Sequence, residues 1–514
     1  MSEQGLRFRS PEPGVRHRAR DDRPSPPGDY DVVVVGSGPG GLQTSYCLGR
    51  LGVRHAVVSA DDGPGGMFRR FPLFERLISW THAAADVPRD TREYEAHDQN
   101  SLVADEPELR GLAAEKLGEG RRRPARDEME AALAAFAERA RLPVRYGCPW
   151  LETRREEGRI VLVTADGEYR CRAAVFAVGM TQPWVPPIPG LQLEHHYVRV
   201  QNSPERYRDR RVAIVGKRNS AFEIGDALTR FGVRELTLVS PRPPDLGRLA
   251  RSPLRPWYLT PYDEHVRGAP GRYVLNASVQ RIDRTVGGYL VHAVDPTRPE
   301  PLLVEADDVI AATGFEAPLR DLTRLGLATV LDGRLPALSP WFESVTLDGF
   351  FFAGNVTQAA QGLRKHGVAS VSGMVCGLRY NARILARRLA ETVCGIEVPR
   401  PSVDPDEVVP YVLSELDRAP ELVMQKGYLA RVLSAGEDGI RDEGILPLEA
   451  FVDGASDGVA ATLEFDADEE IRPALYVRSG GVLHETLLPP HPLRRYGVLA
   501  YREALDDLLR PFVD

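Results

Sequence analysis

The chain has 514 residues, more than the ~100–200 residues of one ordinary domain, so its length predicts about three domains. Its 43% hydrophobic and 27% charged residues are typical of a folded globular protein, and its formal net charge of −8 argues against nucleic acid as a partner. No stretch reaches the ~18 consecutive apolar residues that a membrane-spanning helix needs, so we predict a protein that does not cross a bilayer.

The N-terminal tail and the cysteines indicate the compartment. Residues 1–29 are rich in arginine and proline and lack an apolar segment, which predicts a disordered tail and not a signal peptide. No two of the five cysteines have the two-residue separation of a redox-active or zinc-binding pair. These features predict a protein of the reducing cytoplasm without a metal site.

A strand, a glycine-rich turn and a helix form the clearest local pattern. Residues 30–35 predict a buried strand, residues 40–51 a helix and residues 54–59 a second strand. The turn between the first strand and the helix fits the dinucleotide fingerprint G-x-G-x-x-G in the βαβ context that the fingerprint requires. It reads Gly36, Ser37, Gly38, Pro39, Gly40 and Gly41.

Each defining glycine of this turn has a predicted role. Gly36 permits the tight turn, Gly38 lets the backbone approach a pyrophosphate, and Gly41 lets the helix pack closely on the strand. The N–H groups at the start of the helix then bind the phosphates. An acidic residue is expected at the end of the second strand to bind the ribose, but Ser59 stands there, so Ser59 itself, or Asp61 or Asp62 beside it, takes that role.

A second strand–turn–helix pattern follows at residues 211–231. The turn keeps its first glycine, Gly216, but has Arg218 in place of the middle glycine. We expect Asn219 or Ser220 to cap the helix, and Lys217 and Arg218 to neutralise a pyrophosphate. An ordinary structural turn is the alternative interpretation.

The residue at the end of the next strand bears on the choice of nicotinamide cofactor. Ser240-Pro241-Arg242 stands where a carboxylate would select NAD. With no carboxylate to repel a 2′-phosphate and Arg242 to pair with one, NADPH is favoured over NADH. Alternatively, Arg242 is an ordinary surface arginine.

Further elements complete the prediction of an α/β protein. Residues 126–141 predict an amphipathic helix, residues 367–391 one long helix, and residues 411–433 a helical segment after a proline-rich linker. Residues 399–514 carry no chemical motif, so we expect a small α+β extension that serves packing or oligomerisation. The remaining predicted strands are 144–155, 159–164, 169–177, 235–239, 272–283, 288–295, 302–312, 350–353, 459–465, 474–479 and 482–488.

The sequence has two nucleotide motifs, and the second belongs to a segment inserted into the first domain. This arrangement resembles the plan of the glutathione-reductase-like flavoproteins over residues 30–395. Ala312-Thr313-Gly314-Phe315 is similar to the A-T-G-[FY] segment of class B flavin-dependent monooxygenases. The resemblance implies a Rossmann-like FAD domain at 30–190 and 303–398, with an inserted NAD(P)H domain at 191–302. The F-x-G-x-x-x-H signature of Baeyer–Villiger enzymes is missing, which makes ketone oxygenation a poorer match.

The resemblance also implies which residues bind the cofactors and act in catalysis. The helix after His366 would point its N-terminus at the flavin pyrimidine, with His366 as an acid/base candidate or an ordinary helix-start residue. Trp80 would border the flavin or belong to the core, and Asn100 lies in a polar stretch expected near the substrate. The other implied cofactor-binding residues are Gly66, Met67, Phe68, Gly179, Thr313, Gly314, Gly354, Asn355, Gly362 and Leu363.

These features lead to one preferred function and two alternatives. The resemblance implies a monooxygenase in which NADPH reduces FAD, the flavin forms a C4a-peroxide with O2, and oxygen passes to a small-molecule amine or sulfur nucleophile. The first alternative is a reductase or oxidase of the thioredoxin-reductase type without a dithiol, and the second is a flavin-bearing scaffold. A homo-oligomer is a further expectation.

Overall fold

The computed structural model describes residues 22–69, 76–199, 203–241, 255–437, 439–468 and 470–513, with the backbone alone at 255–259, 511 and 513. The chain forms two compact units. The first comprises Met1–Arg69, Trp80–Gly179 and Leu319–Asp514, and the second comprises Arg70–Ser79 and Met180–Pro318. No described helix combines the length and apolar character needed to cross a bilayer.

A five-stranded parallel sheet forms the centre of the first unit. Its middle strand consists of four valines that are 0–5% exposed, because a parallel strand is covered on both faces. In spatial order the strands are β20 (Phe350–Phe352), β8 (Ala173–Phe176), β2 (Val32–Val35), β3 (His55–Val58) and β4 (Val144–Arg145).

Helices and a second sheet accompany this parallel sheet. Helix α1 (Pro39–Arg50) packs against the long helix α6 (Val375–Thr392). Helices α2 (Leu112–Lys116) and α3 (Arg126–Arg139) contact each other. The second sheet contains β1 (Gly28–Asp29), β7 (Gly167–Cys171), β6 (Arg159–Thr164) and β5 (Trp150–Glu156), and β18 (Thr329–Val330) pairs with β19 (Leu335–Pro336).

The second unit repeats the strand–turn–helix plan. Helix α4 (Asn219–Arg230) follows the first strand of a four-stranded parallel sheet, and α5 spans Arg255–Val266. The parallel sheet contains β12 (Arg272–Leu275), β11 (Glu235–Val239), β10 (Arg211–Val215) and β16 (Asp308–Ala311). An antiparallel sheet contains β13 (Ser278–Thr285), β14 (Gly288–Val294) and β15 (Leu302–Ala306), and β9 (Gln182–Pro183) pairs with β17 (Phe315–Glu316).

The C-terminal extension, residues 399–514, belongs to the first unit and has an apolar core of its own. Its helices are α7 (Val408–Arg418), α8 (Pro420–Met424), α9 (Leu448–Val452) and α10 (Leu499–Val513). They accompany a six-stranded antiparallel sheet of β21 (Ser402–Val403), β23 (Gly439–Pro447), β22 (Leu429–Gly436), β24 (Gly458–Phe465), β25 (Ile471–Ser479) and β26 (Val482–Leu487).

The α/β fold class with Rossmann-type parallel sheets is confirmed. Two helix predictions are confirmed only in part. Helix α6 begins at Val375 and not at Gly367, and the segment predicted as helical over 411–433 contains two helices and then the strand that starts at Leu429. The extension therefore contains two long strands, β22 and β23, that the sequence pattern did not indicate.

Candidate dinucleotide-binding sites

The first turn leaves β2 at Gly36 with a backbone conformation reserved for glycine. Its φ is +114°, and a Cβ built on it would lie 2.5 Å from the carbonyl oxygen of Ala177. A Cβ on Gly41 would lie 1.9 Å from the carbonyl oxygen of Gly36 itself. These two glycines therefore have the turn and packing roles that the fingerprint predicts.

Gly38 is different, because nothing lies within 4 Å of the position its Cβ would take. It is the N-cap of α1, and Pro39, which lacks an N–H group, takes the first helical position. The N–H groups of the first helical turn have no intrahelical partner and carry the positive end of the helix dipole. This open space before a helix N-terminus fits the diphosphate of FAD.

A second backbone segment passes close to this turn. Gly65 donates its N–H to the Ser37 carbonyl at 3.1 Å. A Cβ on Gly66 would lie 3.2 Å from the Cα of Gly38. Met67 and Phe68 continue from Gly66 in a short 3-10 helix and are half-buried. The fold thus brings the predicted residues Gly66 to Phe68 to the fingerprint turn.

Ser59 braces the turn from the end of β3. Its hydroxyl hydrogen-bonds to the Ser37 hydroxyl at 2.7 Å and accepts the Asp61 N–H at 3.2 Å, and its side chain is 2% exposed. Asp61 is half-buried and its Oδ2 lies 3.9 Å from the position of a Gly66 Cβ, whereas Asp62 is exposed. Of the three candidates for the ribose contact, Asp61 is thus the carboxylate beside the turn.

Gly354 meets the same turn from the end of β20. A Cβ on Gly40 would lie 2.2 Å from the Gly354 Cα, and Gly354 has a φ of +81°. Asn355 is the next residue in the 3-10 helix Gly354–Ala359. The predicted residue Gly179, with a φ of +66°, follows β8 in the same sheet. Two distant motifs, Gly36–Gly41 and Gly354-Asn355, therefore meet beyond the ends of two parallel strands, β2 and β20, that flank β8 in the sheet.

The segment around His366 differs from its prediction. His366 is exposed and lies in a separate 3-10 helix, Lys365–Gly367, so it is not at the start of α6. A Cβ on Gly362 would lie 2.6 Å from the Tyr428 ring, and Leu363 packs against the apolar cluster of the extension. The structure thus places Gly362 and Leu363 against the C-terminal extension.

Trp80 and Asn100 lie on two paired segments. The half-buried Trp80 exchanges hydrogen bonds with Gln99, and its ring lies edge-on to His82 at 5.0 Å. Asn100 is 0% exposed and donates to the Thr81 hydroxyl at 2.9 Å. The geometry therefore makes Asn100 a buried support of the Trp80 segment, in contrast to the substrate-facing position expected from the sequence.

A buried arginine holds this polar segment on α6. Arg379 is 0% exposed and donates to the carbonyl oxygens of Asp98 and Ser101, both at 2.8 Å. Tyr380 and Glu95 complete the contact through hydrogen bonds. Although burial alone would lower it, the surrounding tyrosine and carboxylate groups raise the pKa of Arg379, so it stays charged.

The second turn leaves β10 at Gly216, with a φ of +134° and a virtual Cβ 2.4 Å from the carbonyl oxygen of Ala312. The predicted cap is wrong, because Asn219 and Ser220 are the first residues of α4 and Arg218 is its N-cap without a side-chain cap bond. Arg218 is exposed and stands at the helix N-terminus, where a pyrophosphate would bind.

Lys217 lies inside the second unit. Its side chain is 6% exposed, and its Nζ donates to Asn276 Oδ1 at 2.5 Å. Burial lowers the pKa of Lys217 to about 8. Lys217 is thus held by Asn276, and the exposed Arg218 is left as the candidate for the predicted phosphate-neutralising charge.

The A-T-G segment is fixed by backbone contacts of the second unit. Thr313 donates its hydroxyl to the Trp184 carbonyl at 2.6 Å, and Trp184 donates its N–H to the Gly314 carbonyl at 3.0 Å. The fully buried His196 also hydrogen-bonds to the Gly314 carbonyl, at 2.8 Å. Arg242, predicted to select NADPH, lies outside the described residues.

Four buried polar residues near the first turn were not predicted from the sequence. Asn381 on α6 hydrogen-bonds to Thr357 and Ser372, and Gln425 of the extension hydrogen-bonds to Ser372 and Asn381. All four are at most 1% exposed. A polar residue such as Asn381 at a buried helix position is the one sequence feature that would have pointed to this network.

The two parallel sheets, each with a strand that is followed by a glycine turn and a helix, define a flavoprotein with two dinucleotide-binding motifs. Residues 33–354 match the model of the pyridine nucleotide-disulphide oxidoreductase family. Because the match covers more than half of the chain, the protein belongs to this family.

Two groups of relatives are similar in sequence. The FAD-dependent oxidoreductase domain-containing protein 2 of Danio rerio is 23% identical over 475 residues, which cover 79% of this chain and 65% of the relative. The chain thus spans less than two thirds of that protein's length. The ferredoxin–NADP reductase of Salinispora arenicola is 31% identical over 340 residues, which cover 64% of this chain and 87% of the reductase.

Solved structures share the fold of about 70% of the chain. A flavin-containing monooxygenase from Stenotrophomonas maltophilia has a TM-score of 0.52 and 22% identity, covering 70% of this chain and 98% of its own. A bacillithiol disulfide reductase from Bacillus cereus has a TM-score of 0.52 and 19% identity, covering 71% and 99%. At these identities the likeness shows the fold alone.

Proposed function

We propose that the protein is an NADPH-dependent flavin monooxygenase that oxygenates an amine or sulfur atom of a small molecule. When bound, FAD supplies hydride acceptance and the reaction with O2. The residues of the first turn bind its diphosphate through backbone N–H groups, and Arg218 binds the diphosphate of NADPH. The preference for NADPH rests on Arg242 and the missing carboxylate after β11.

The burial and protonation of the cysteine thiols bear on how electrons leave the flavin. Four of the five cysteines are buried, and Cys394 is half-buried. Burial raises the pKa of the Cys376 thiol, at the start of α6, to about 11, and it also raises the pKa of Cys394. Protonated and mostly inaccessible thiols are poor electron relays, so we infer that electrons leave the flavin directly for an external acceptor and not through a dithiol of this chain.

The chain's own residues have positioning roles in this proposal. The backbone at Gly354 lies against the first turn of α1, and the next residue, Asn355, is a candidate to hold the cofactor beyond its diphosphate. Trp80 is half-buried beside the Gln99 amide and offers an aromatic surface to a flavin or substrate. The exposed His366 is retained as a candidate for proton transfer to or from substrate.

A ferredoxin or related one-electron carrier is the acceptor in a second candidate function. It is favoured by the match to the ferredoxin–NADP reductase of Salinispora arenicola, 87% of which is covered at 31% identity. The two functions share both nucleotide sites and differ in the partner that takes electrons from the flavin.

The stoichiometry of NADPH oxidation in air distinguishes these functions. We expect a yellow protein whose flavin is bleached by NADPH, and whose ratio of H2O2 formed to NADPH oxidised falls when a suitable amine or thioether from a panel is added. A ratio that stays at one for the whole panel, together with rapid reduction of added ferredoxin, would establish the reductase instead. Absence of bleaching by either NADPH or NADH would indicate a non-catalytic scaffold.

A further inference from the structure

A continuous chain of buried hydrogen bonds leads from the first nucleotide-binding turn to the C-terminal extension. It begins at Gly354, whose backbone lies against Gly40 of the fingerprint. The Gly354 carbonyl accepts a hydrogen bond from the Thr357 hydroxyl at 2.7 Å. Asn381 on α6 donates from its Nδ2 to the Thr357 and Ser372 hydroxyl oxygens, both at 2.9 Å.

Gln425 of the extension completes this chain. Its Nε2 donates to Ser372 Oγ and to Asn381 Oδ1, both at 3.1 Å, and its Oε1 accepts the N–H of Val371 at 2.9 Å. The side chain is 1% exposed. Both ends of the amide are therefore engaged, so its orientation is fixed and water cannot easily replace it.

The residues that Gln425 holds form the entry to α6. Val371 is hydrogen-bonded through its carbonyl to the N–H of Met374, the N-cap residue of the helix. A Cβ on Gly377 would lie 2.3 Å from the Val371 carbonyl oxygen, so this turn packs tightly on the first helical residues. Movement of the Val371–Met374 turn would therefore change the start of α6.

The segment before this turn is also covered by the extension. The Tyr428 ring occupies the space beside Gly362. Lys365 hydrogen-bonds to Tyr476, and its ammonium lies 3.5 Å from Glu464 and also pairs with Glu485. The extension thus contacts residues 362–374 at several independent points.

From this geometry we infer that the extension is an integral part of the FAD site, with Gln425 as a positioning residue. It fixes Val371–Met374 and, through Asn381 and Thr357, the Gly354 backbone beside the fingerprint. The inference rests on FAD binding at the Gly36–Gly41 turn, as proposed above. Because coupling between sites is reciprocal, FAD binding must in turn stabilise the docked extension.

The experiment compares FAD binding with protection of the extension in full-length protein. In wild-type protein, adding FAD to the apoprotein should slow amide hydrogen exchange in 425–433 and 459–463 as well as around Gly36–Gly41. Gln425→Met keeps the side-chain volume but removes three hydrogen bonds. It should weaken FAD binding about tenfold. It should also alter the visible absorption and circular dichroism of the bound flavin. Tyr411→Phe is the control, since it removes one hydrogen bond to Asp442 inside the extension at 2.7 Å.

The outcomes separate this inference from the assignment of the site itself. We expect Tyr411→Phe to retain wild-type FAD affinity and flavin spectra, and Gln425→Met to lose the FAD-dependent protection of the extension. The inference is overturned if folded Gln425→Met binds FAD within twofold of wild type with an unchanged spectrum, or if FAD leaves exchange in the wild-type extension unchanged. If wild-type protein binds no FAD, the proposed function fails first.

Discussion

The two nucleotide-binding turns have the same backbone at their first residue and different chemistry at their third. Gly36 and Gly216 both follow a buried parallel strand, with φ values of +114° and +134°. In each turn a Cβ would lie within 2.5 Å of a carbonyl oxygen on the neighbouring strand, that of Ala177 or of Ala312. The fold itself therefore requires glycine at both positions.

The third position is not constrained in this way. The space beside Gly38 is open to 4 Å, and the second turn has an exposed Arg218 at the corresponding N-cap. No contact within the described part of the chain requires a glycine at position 38, whereas close approach of a ligand diphosphate would. We propose that the first turn admits its ligand by close backbone approach, whereas the second offers the exposed Arg218 to its ligand.

The largest expected effect comes from filling the open space at Gly38. Gly38→Val should leave the fold intact, because a Cβ at this position has no neighbouring atom within 4 Å, but should abolish FAD retention by blocking the diphosphate. Flavin content by absorbance and thermal unfolding of the apoprotein measure the two effects. Gly49→Ala, on the same helix with its nearest neighbour 3.9 Å from the new Cβ, should retain FAD. Normal flavin content in Gly38→Val would remove the assigned site.

Gly216→Ala tests the opposite kind of glycine. The substitution forces a positive φ on alanine and a clash with the Ala312 carbonyl, so we expect a loss of about 3 kcal/mol or more in the free energy of unfolding of the second unit. Gly268→Ala is the control, because Gly268 has a φ of +73° with nothing within 4 Å of its Cβ, and it should cost only about 1 kcal/mol. If denaturant titrations show the same loss of unfolding free energy for both variants, the clash with the Ala312 carbonyl has no role.

The sequence predicted what short-range chemistry determines. The buried valine strand, both turn glycines and the helices that follow them depend on local pattern and could be found without coordinates. The start of α6 could not, because residues 368–374 are compatible with a helix but the Val371 N–H is taken by Gln425, far along the chain. Likewise, Leu429–Gly436 forms a strand because it pairs with β23 and β24.

Ser59 illustrates a second limit of the sequence. Its position suggested a ribose contact, but its hydroxyl is engaged by Ser37, which lies on the turn it faces. Which of two possible partners a short polar side chain takes depends on the distance between two loops. That distance is a tertiary property and leaves no periodic pattern in the sequence.

Lys217 lies between Gly216 and Arg218 in the second turn. It should make the free energy of unfolding of the second unit depend on pH in the alkaline range. Its folded-state pKa of about 8 lies below its ordinary value of 10.5, so burial of the charge costs stability in full below pH 8 and progressively less as the pH rises to 10.5. Lys217→Met should therefore stabilise the protein at pH 7 by about 2 kcal/mol, after the lost bond to Asn276 is deducted. Denaturant unfolding at pH 7 and 10.5 should show this advantage disappear. A difference independent of pH would show that the lysine is not buried in its charged form.

The smallest of these effects is expected at Arg218. Arg218→Ala should raise KM for NADPH about tenfold with kcat and FAD content nearly unchanged, since a charge-assisted contact to the diphosphate contributes equally before and during hydride transfer. The increase should shrink at high ionic strength. Arg230→Ala, at the other end of α4 and ion-paired with Asp226 at 2.9 Å, should leave KM unchanged. Arg218→Gly gives the sharpest comparison, because it recreates the open space found at Gly38. If glycine binds NADPH more tightly than arginine, the guanidinium obstructs the ligand, and the two turns bind by the same backbone approach after all.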